Sequence, residues 1–225
     1  MDGGFSCPNR TGDGRGSGGC AYCGPGAARA PYAPGDGDDS IGAQVGAAVA
    51  FLQRRYGARL FFLYFQAFSS TRASVAELSR IYESAIDAAR GLAELRGLVV
   101  STRPDCLDSE RVRLLSGYRD RGYEVWVELG LQTASDASLA LMRRGHAFAD
   151  FLRARELLAE AGIRTAVHLI LGLPGEGRDQ MLETVRRVAD ARVEGIKFHD
   201  LYLPKGSLWA SEYLAGELVL MHPAR

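Results

Sequence analysis

Apolar residues recur along the chain with two different periods, and each period predicts a different element. Five apolar residues recur every three or four positions, which is the helical period: Ile41, Val45, Val49, Leu52 and Tyr56. This spacing predicts a helix over 41–56 that ends near Gly57. Residues 59–68 instead form a continuous apolar and aromatic run, which predicts a strand buried on both faces.

The same two patterns alternate through the rest of the chain. Ser74 and Glu77 form a capping box, which predicts the start of another helix. Further helices are predicted over 109–121, 136–143, 147–161 and 178–193, and further strands over 98–101, 124–132, 164–173 and 196–203. Alternation at a spacing of roughly 30 residues is typical of a parallel α/β sheet with helices outside. A partial (β/α) barrel and a doubly wound sheet both fit, and in both the functional side chains lie where strands end.

Composition narrows the class of protein. At 225 residues and 47% hydrophobic content, the chain can bury one substantial core, so we expect a single domain. The 27 basic and 27 acidic side chains balance, which argues against a wide electrostatic footprint for nucleic acid. No apolar run approaches the ~20 residues of a membrane span. With no recognisable targeting segment, we expect a cytoplasmic protein that contacts no membrane.

Three of the four cysteines lie in one glycine-rich segment, 7–23: Cys7, Cys20 and Cys23. Glycine adopts backbone angles that other residues avoid, so such a segment can wrap around a ligand but cannot form a core. Three thiolates could bind three irons of a four-iron cluster and leave the fourth iron open. A structural zinc site usually takes four protein ligands, and Cys106 is the only other cysteine. The spacing favours an iron–sulfur cluster over zinc and leaves zinc as an alternative.

Polar residues collect at the ends of all five predicted strands. They are Gln66, Ser69, Ser70 and Thr71 after the first, Arg103 and Asp105 after the second, Glu128 and Gln132 on the third, His168 on the fourth, and His199, Asp200, Tyr202 and Lys205 around the last. Buried polar groups need partners. We therefore expect a polar ligand at the mouth of the sheet.

Several strings in this order resemble a known family: CPNRTGDGRGSGGCAYC, YFQAFSST, STRPDC, GYEVWVELGLQTASD, RRGHAFADF, HLILGLPGEG and GIKFHDLYLPKGS. They resemble radical S-adenosylmethionine (SAM) proteins of the YhcC-like branch, which is related to the radical catalytic subunit of Elongator. The resemblance implies a partial (β/α) barrel of the radical SAM type, here apparently without its first strand and its C-terminal extension. It divides the single domain over 1–225 into a cluster-binding loop with an irregular segment over 1–40, β/α repeats over 41–207 and a tail over 208–225.

The resemblance also implies cofactors and a reaction. Cys7, Cys20 and Cys23 would hold a 4Fe-4S cluster, and SAM would bind the open iron through its amino and carboxylate groups. Reductive cleavage of SAM would give a 5′-deoxyadenosyl radical that abstracts hydrogen from an unidentified substrate, a small molecule or RNA. The electron would come from a reductant such as flavodoxin or ferredoxin. The alternative is a non-catalytic metal-binding module, zinc or iron–sulfur, on an α/β scaffold.

Individual roles follow from the same resemblance. The resemblance implies that Tyr22 packs beside the cluster and adenine, and that Gln66 and Ala67 contact the SAM amino group. It implies that Glu128 contacts the ribose hydroxyls or the amine, that Gly172 to Gly175 pass under adenine, and that Lys205 contacts a carboxylate. Gln132 is also expected to contact a cofactor. Of these, Glu128 and Lys205 are predicted to be catalytic. Substrate-side and structural roles stay open for Arg103, Asp105, His168 and His199, and Cys106 is expected to be dispensable.

Overall fold

Strands and helices alternate through the computed structural model, which describes residues 1–10, 19–24 and 40–221. The strands are β1 (Leu60–Phe65), β2 (Glu94–Thr102), β3 (Glu124–Gln132), β4 (Arg164–Leu171) and β5 (Gly195–Asp200). The helices are α1 (Ile41–Tyr56), α2 (Val75–Ala89), α3 (Ser109–Asp120), α4 (Asp136–Leu141), α5 (Phe148–Glu160), α6 (Arg178–Asp190) and α7 (Leu208–Leu214). Two short 3-10 helices cover Pro8–Arg10 and Pro104–Cys106.

The five strands form one parallel sheet in the order β1-β2-β3-β4-β5. The sheet is strongly curled. The evidence is that side chains of its two edge strands meet across the concave face. Lys197 Nζ on β5 lies 5.6 Å from the centre of the Tyr64 ring on β1. Curling of a parallel sheet with helices outside gives a half-barrel. The predicted partial (β/α) barrel is therefore confirmed, and a doubly wound sheet is excluded.

The core lies between the convex face of the sheet and the helices. On β3, alternate residues Val125, Val127, Leu129 and Leu131 are buried, and they belong to one apolar cluster with residues of α2, α3 and α5. The concave face instead carries polar side chains. Alternation along each strand thus separates a dry outer core from a polar interior.

Local capping explains why α1 has the bounds predicted from sequence. The Ser40 hydroxyl accepts a hydrogen bond from the Ala43 amide at 3.2 Å, which caps the first turn. At the other end, Gly57 has a left-handed backbone (φ 62°), and its amide donates to the Gln53 carbonyl at 2.9 Å. Both signals are local, so they can be read from sequence.

Both ends of the chain differ from the expected pattern. Before β1, the described residues contain no strand, but residues 1–6 run along its edge. The Gln66 amide donates to the Met1 carbonyl at 3.2 Å, and the Ser69 amide donates to the Ser6 carbonyl at 3.3 Å. After 207, where only a tail was expected, α7 buries Trp209. In the described part of the chain, no helix is long and apolar enough to cross a membrane.

Candidate metal centre

A cavity of about 650 Å³ opens where the strands of the half-barrel end. Its walls come from the loop around the cysteines, from residues after β1 and β2, from the ends of β3 and β4, and from β5 with the loop that follows it. Residues 11–18, between Cys7 and Cys20, lie outside the described residues. Because the carboxyl ends of parallel strands meet at one edge, residues far apart in sequence converge here.

All three predicted cysteine ligands line this cavity: Cys7, Cys20 and Cys23. Cys7 immediately precedes the short helix Pro8–Arg10, and the Arg10 amide donates to its carbonyl at 2.9 Å. Cys20 and Cys23 share a tight turn, in which the Cys23 amide donates to the Cys20 carbonyl at 2.9 Å. All four cysteines are free thiols, and no disulfide joins Cys20 to Cys23.

The three sulfur atoms do not surround one point. Within residues 1–10, 19–24 and 40–221, no three histidine, cysteine or carboxylate side chains lie close enough together to hold a single metal ion. Zinc needs donors at about 2.3 Å from one centre. In a four-iron cluster each cysteine binds a different iron, so its sulfurs stay farther apart.

Nitrogen donors reach each of the three sulfurs. Asn9 Nδ2 lies 3.1 Å and Arg144 Nη1 lies 3.4 Å from Cys20 Sγ. Arg10 Nη2 lies 3.3 Å from Cys23 Sγ, and Arg103 Nη1 lies 3.9 Å from Cys7 Sγ. Four donors of positive or partly positive charge therefore face the three sulfurs, a setting that suits sulfur ligands carrying negative charge.

Burial raises the pKa of two of the cysteine thiols. Burial raises the pKa of Cys106 to about 11, and this residue does not line the cavity. Burial also raises the pKa of Cys23, although the charge of Arg10 beside it lowers the value in part. A thiol that stays protonated is a poor ligand. Cys106 therefore fits the dispensable role predicted for it.

Arg103 and Asp105, whose roles stayed open in the sequence, form a pair beside Cys7. Arg103 is 3% exposed, and its Nε and Nη2 each lie 2.8 Å from one carboxylate oxygen of Asp105. This bidentate geometry neutralises the buried guanidinium and fixes its direction. The third nitrogen, Nη1, is the one that faces Cys7.

A second polar network lies on the concave face of the sheet. Glu128 Oε2 accepts hydrogen bonds from the Tyr64 hydroxyl at 2.5 Å and from His168 Nε2 at 2.7 Å. The His168 ring stacks at a tilt on His199, with centroids 5.1 Å apart. His168 and His199 line the cavity, but Glu128 does not. Glu128 is therefore a hydrogen-bond partner of His168, and its predicted contact with SAM stays a prediction.

Burial, hydrogen bonds and neighbouring charges together shift the pKa values of Glu128 and His199. Burial alone would raise the pKa of Glu128, but hydrogen bonds from His168 and Tyr64 and the charges of His168 and Lys197 lower it below its usual value. Burial and the neighbouring His168 and Lys197 lower the pKa of His199. The concave face thus holds an ionised carboxylate near neutral pH.

The other predicted cofactor contacts divide into two groups. Tyr22, Gln66, Gln132 and Lys205 line the cavity with the cysteines. Ala67, Gly172 and Gly175 do not contribute to its surface; Ala67 is 3% exposed, and both glycines have left-handed backbones (φ 79°). Their predicted contacts with SAM stay predictions.

Some residues at the strand ends have structural partners instead of facing the cavity. Thr71 Oγ1 lies 2.7 Å from Thr102 Oγ1 and donates to the Cys106 carbonyl at 2.7 Å. Glu176, in the string HLILGLPGEG, is 5% exposed and accepts from Thr133 Oγ1 at 2.6 Å. Thr71 and Glu176 therefore tie neighbouring strand ends together.

The sequence did not reveal three donors to the sulfurs: Asn9, Arg10 and Arg144. Asn9 and Arg10 lie two and three residues after Cys7, so their nearness to this ligand in the sequence was a usable signal. Arg144 lies 124 residues beyond Cys20, and only the tertiary fold brings it there. Gly130 makes room for it, since a Cβ at Gly130 would lie 2.9 Å from Arg144 Nη2.

The loop between α4 and α5 also docks onto the cysteine segment. The Ala21 amide donates to the Met142 carbonyl at 2.9 Å, and Asn9 Nδ2 donates to the Arg143 carbonyl at 2.6 Å. From the other side, the Trp209 amide donates to the Ala21 carbonyl at 2.9 Å. Two distant parts of the chain therefore hold the turn between Cys20 and Cys23 in place.

Comparison with known proteins agrees with this geometry. The sequence profile of the radical SAM superfamily matches residues 14–188. The chain therefore belongs to the radical SAM superfamily. Protein YhcC of Escherichia coli (strain K12) is 43% identical over 219 residues, which are 97% of this chain and 67% of that protein. Within the superfamily, the chain is thus a YhcC-like protein.

Two further similarities concern Elp3-type proteins. A tRNA uridine(34) acetyltransferase of Methanocaldococcus jannaschii is 28% identical over 124 residues, 53% of this chain and 22% of that protein. The solved structure of Elp3 from Methanocaldococcus infernus, with an N-terminal deletion, superposes with a TM-score of 0.71 at 19% identity. That superposition covers 81% of this chain and 46% of that chain, and it shows a shared fold. The predicted relation of this YhcC-like chain to the Elongator radical subunit is confirmed.

Proposed function

We propose that this protein is a radical SAM enzyme in which Cys7, Cys20 and Cys23 hold a 4Fe-4S cluster. The observation that carries the proposal is the convergence of these three thiols, with nitrogen donors to each sulfur, on one cavity at the ends of the strands. The chemistry that such a cluster supplies with SAM is one-electron cleavage to methionine and a 5′-deoxyadenosyl radical that abstracts hydrogen from a substrate.

The charge around the sulfurs supports a cluster more than neutral thiols. Arg144 is 6% exposed, and among the described residues it forms no ion pair with a carboxylate. A buried guanidinium without a counter-charge is costly. Three thiolates bound to iron and sulfide would provide that negative charge beside it, and neutral thiols would not.

The chain's own residues have separate tasks in this proposal. Asn9 and Arg10 orient the sulfurs of Cys20 and Cys23 through their side-chain nitrogens. Tyr22, Gln66, Gln132 and Lys205 supply the cavity surface against which SAM would bind. In this proposal Lys205 would contact a carboxylate, and Glu128 would act through its hydrogen bond to His168. The reductant would be a small electron carrier of the flavodoxin or ferredoxin class.

The first experiment counts metal and cluster. After anaerobic reconstitution, wild-type protein should bind about four irons and four sulfides per chain. Cys7→Ser, Cys20→Ser and Cys23→Ser should each lose most of the iron, because each removes one of three attachment points. Cys106→Ser is the matched control and should retain the wild-type iron content. Stoichiometric zinc with no iron after reconstitution would instead support a non-catalytic zinc module.

The second experiment tests the radical reaction. Reconstituted protein, a strong one-electron reductant and SAM should release 5′-deoxyadenosine, detected by liquid chromatography with mass spectrometry. The three cysteine variants should release none, and Cys106→Ser should behave like the wild type. If the protein holds its cluster and binds SAM but yields no 5′-deoxyadenosine, the radical reaction is contradicted. The protein would then be an iron–sulfur module that does not catalyse this reaction.

The substrate in this proposal is related to RNA. A relative is a tRNA uridine(34) acetyltransferase, which favours an RNA-related substrate. The cavity is lined by Arg10, Arg103, Arg144 and Lys205 and by one carboxylate, Asp200. Three of these cations, Arg10, Arg103 and Arg144, face the cysteine sulfurs, so of the four Lys205 is the one left to attract an anionic ligand. Comparing tRNA nucleosides and small metabolites between a deletion strain and its parent would identify what accumulates.

A further inference from the structure

Arg144 has unusual surroundings for a buried arginine. Its Nη2 donates to the Gly130 carbonyl at 2.6 Å, its Nη1 reaches Cys20 Sγ at 3.4 Å, and its Nε is buried without a partner. No carboxylate among the described residues pairs with it, in contrast to Arg103, which is neutralised by Asp105. The residue most able to balance this charge is therefore Cys20.

The same geometry fixes the charge next to one particular sulfur. The Gly130 carbonyl holds one side of the guanidinium, and Arg144 follows directly on the carbonyl of Arg143 that binds Asn9. Asn9 Nδ2 is the second donor to Cys20 Sγ. Cys20 thus receives two side-chain donors, one of them a full positive charge, in the most buried part of the site.

We propose that Arg144 sets the reduction potential of the cluster by holding a positive charge, which pairs with no carboxylate of the described residues, beside the sulfur of Cys20. The inference rests on the proposed function, because it requires a cluster at the three cysteines. Reduction adds one electron, supplied by the reductant, and makes the cluster more negative. A buried cation stabilises that reduced state more than the oxidised one, so it raises the potential.

The experiment compares Arg144→Gln with the wild type in an EPR-monitored redox titration of reconstituted protein, without SAM. Removing the charge should lower the equilibrium constant for reduction at least tenfold, which corresponds to about 59 mV for a one-electron couple. Arg144→Lys keeps the charge but not the planar donor pair, so its potential should lie between the two.

Arg155 provides the matched control. It is a largely buried arginine of α5 whose Nε also lacks a partner, but it binds the Arg192 carbonyl and Glu194 far from the cysteines in the fold. Arg155→Gln should lower the stability of the protein and leave the potential unchanged. A general loss of packing would therefore shift the stability of both variants but the potential of neither.

Each outcome separates the hypotheses. The inference is overturned if Arg144→Gln, or the equally uncharged Arg144→Met where the glutamine variant retains no cluster, has the wild-type potential. A variant with unchanged potential but weakened SAM binding would assign Arg144 to the SAM carboxylate instead. A wild-type protein that holds no cluster would contradict the proposed function itself, which is a different result from an unchanged potential.

Discussion

The hydrogen-bonded carboxylate of Glu128 gives a prediction that needs no cofactor. The change is Glu128→Gln, which keeps the shape of the side chain and removes its charge. In the wild type, Glu128 accepts hydrogen bonds from Tyr64 and His168, and its side chain is 16% exposed. A hydrogen bond to a charged group contributes about 1.5–3 kcal/mol. Because glutamine retains one acceptor, we expect the free energy of unfolding at pH 7 to fall by about 1–2 kcal/mol.

The pH dependence gives the prediction its sign. The pKa of folded Glu128 lies below its usual value of 4.5, so the ionised carboxylate stabilises the fold. That contribution is complete above the unfolded pKa and is lost as pH falls through the lower folded pKa. The difference between wild type and Glu128→Gln should therefore be constant from neutral pH down to about 5 and should shrink below about 4.

Urea unfolding of the cluster-free protein, followed by tryptophan fluorescence, measures this difference at each pH. The matched control is Glu183→Gln, because Glu183 pairs with Arg186 at 3.7 Å on the surface and both side chains are more than half exposed. Such pairs contribute about 0–1 kcal/mol, so this variant should show little change at any pH. A difference for Glu128→Gln that is absent at pH 7, or equal at pH 7 and pH 3.5, would refute the role of its charge.

Two further variants test how the cysteine segment is held. Trp209→Ala removes a side chain that is 2% exposed, and it should lower the free energy of unfolding by about 3–5 kcal/mol in urea and reduce retained iron, because that side chain packs in one apolar cluster with Ala21, which lies between Cys20 and Cys23. Gly130→Ala should cost about 1–3 kcal/mol in the same assay and displace Arg144, since the new Cβ would lie 2.9 Å from its Nη2; unchanged stability would contradict that crowding.

The sequence predicted the architecture well wherever the signals were local. The bounds of α1 and β3 agree with the predicted ones because a cap, a glycine or an apolar run defines each end. Predicted bounds were less accurate for β2, which begins at Glu94 instead of Leu98. Its first residues include polar side chains at the end of the barrel remote from the cavity, and an apolar run cannot detect them.

The site was predicted only in part for a related reason. Cysteine spacing identifies candidate ligands, because all three ligands lie within one short segment of the sequence. The partners of those ligands come from other elements, as Arg144 on the α4–α5 loop illustrates. The converse error is instructive as well. Thr71 was expected to face a ligand, but it is 1% exposed and bonds to Thr102, because strand ends must also satisfy one another.

Backbone strain points to the same cavity without any reference to cysteine chemistry. Among the described residues, four that are not glycine have left-handed backbones: Phe68, Gln132, Arg143 and Arg192. Phe68 and Gln132 line the cavity, and the Arg143 carbonyl binds Asn9 beside Cys20. Such conformations cost about 1–3 kcal/mol each and persist where surrounding structure enforces them. At Gln132 the strain coincides with an irregular pairing of β3 and β4 that turns this side chain into the cavity wall. Glycine would adopt this backbone without strain, so the strain at position 132 supports the prediction that the glutamine side chain contacts a ligand in the cavity.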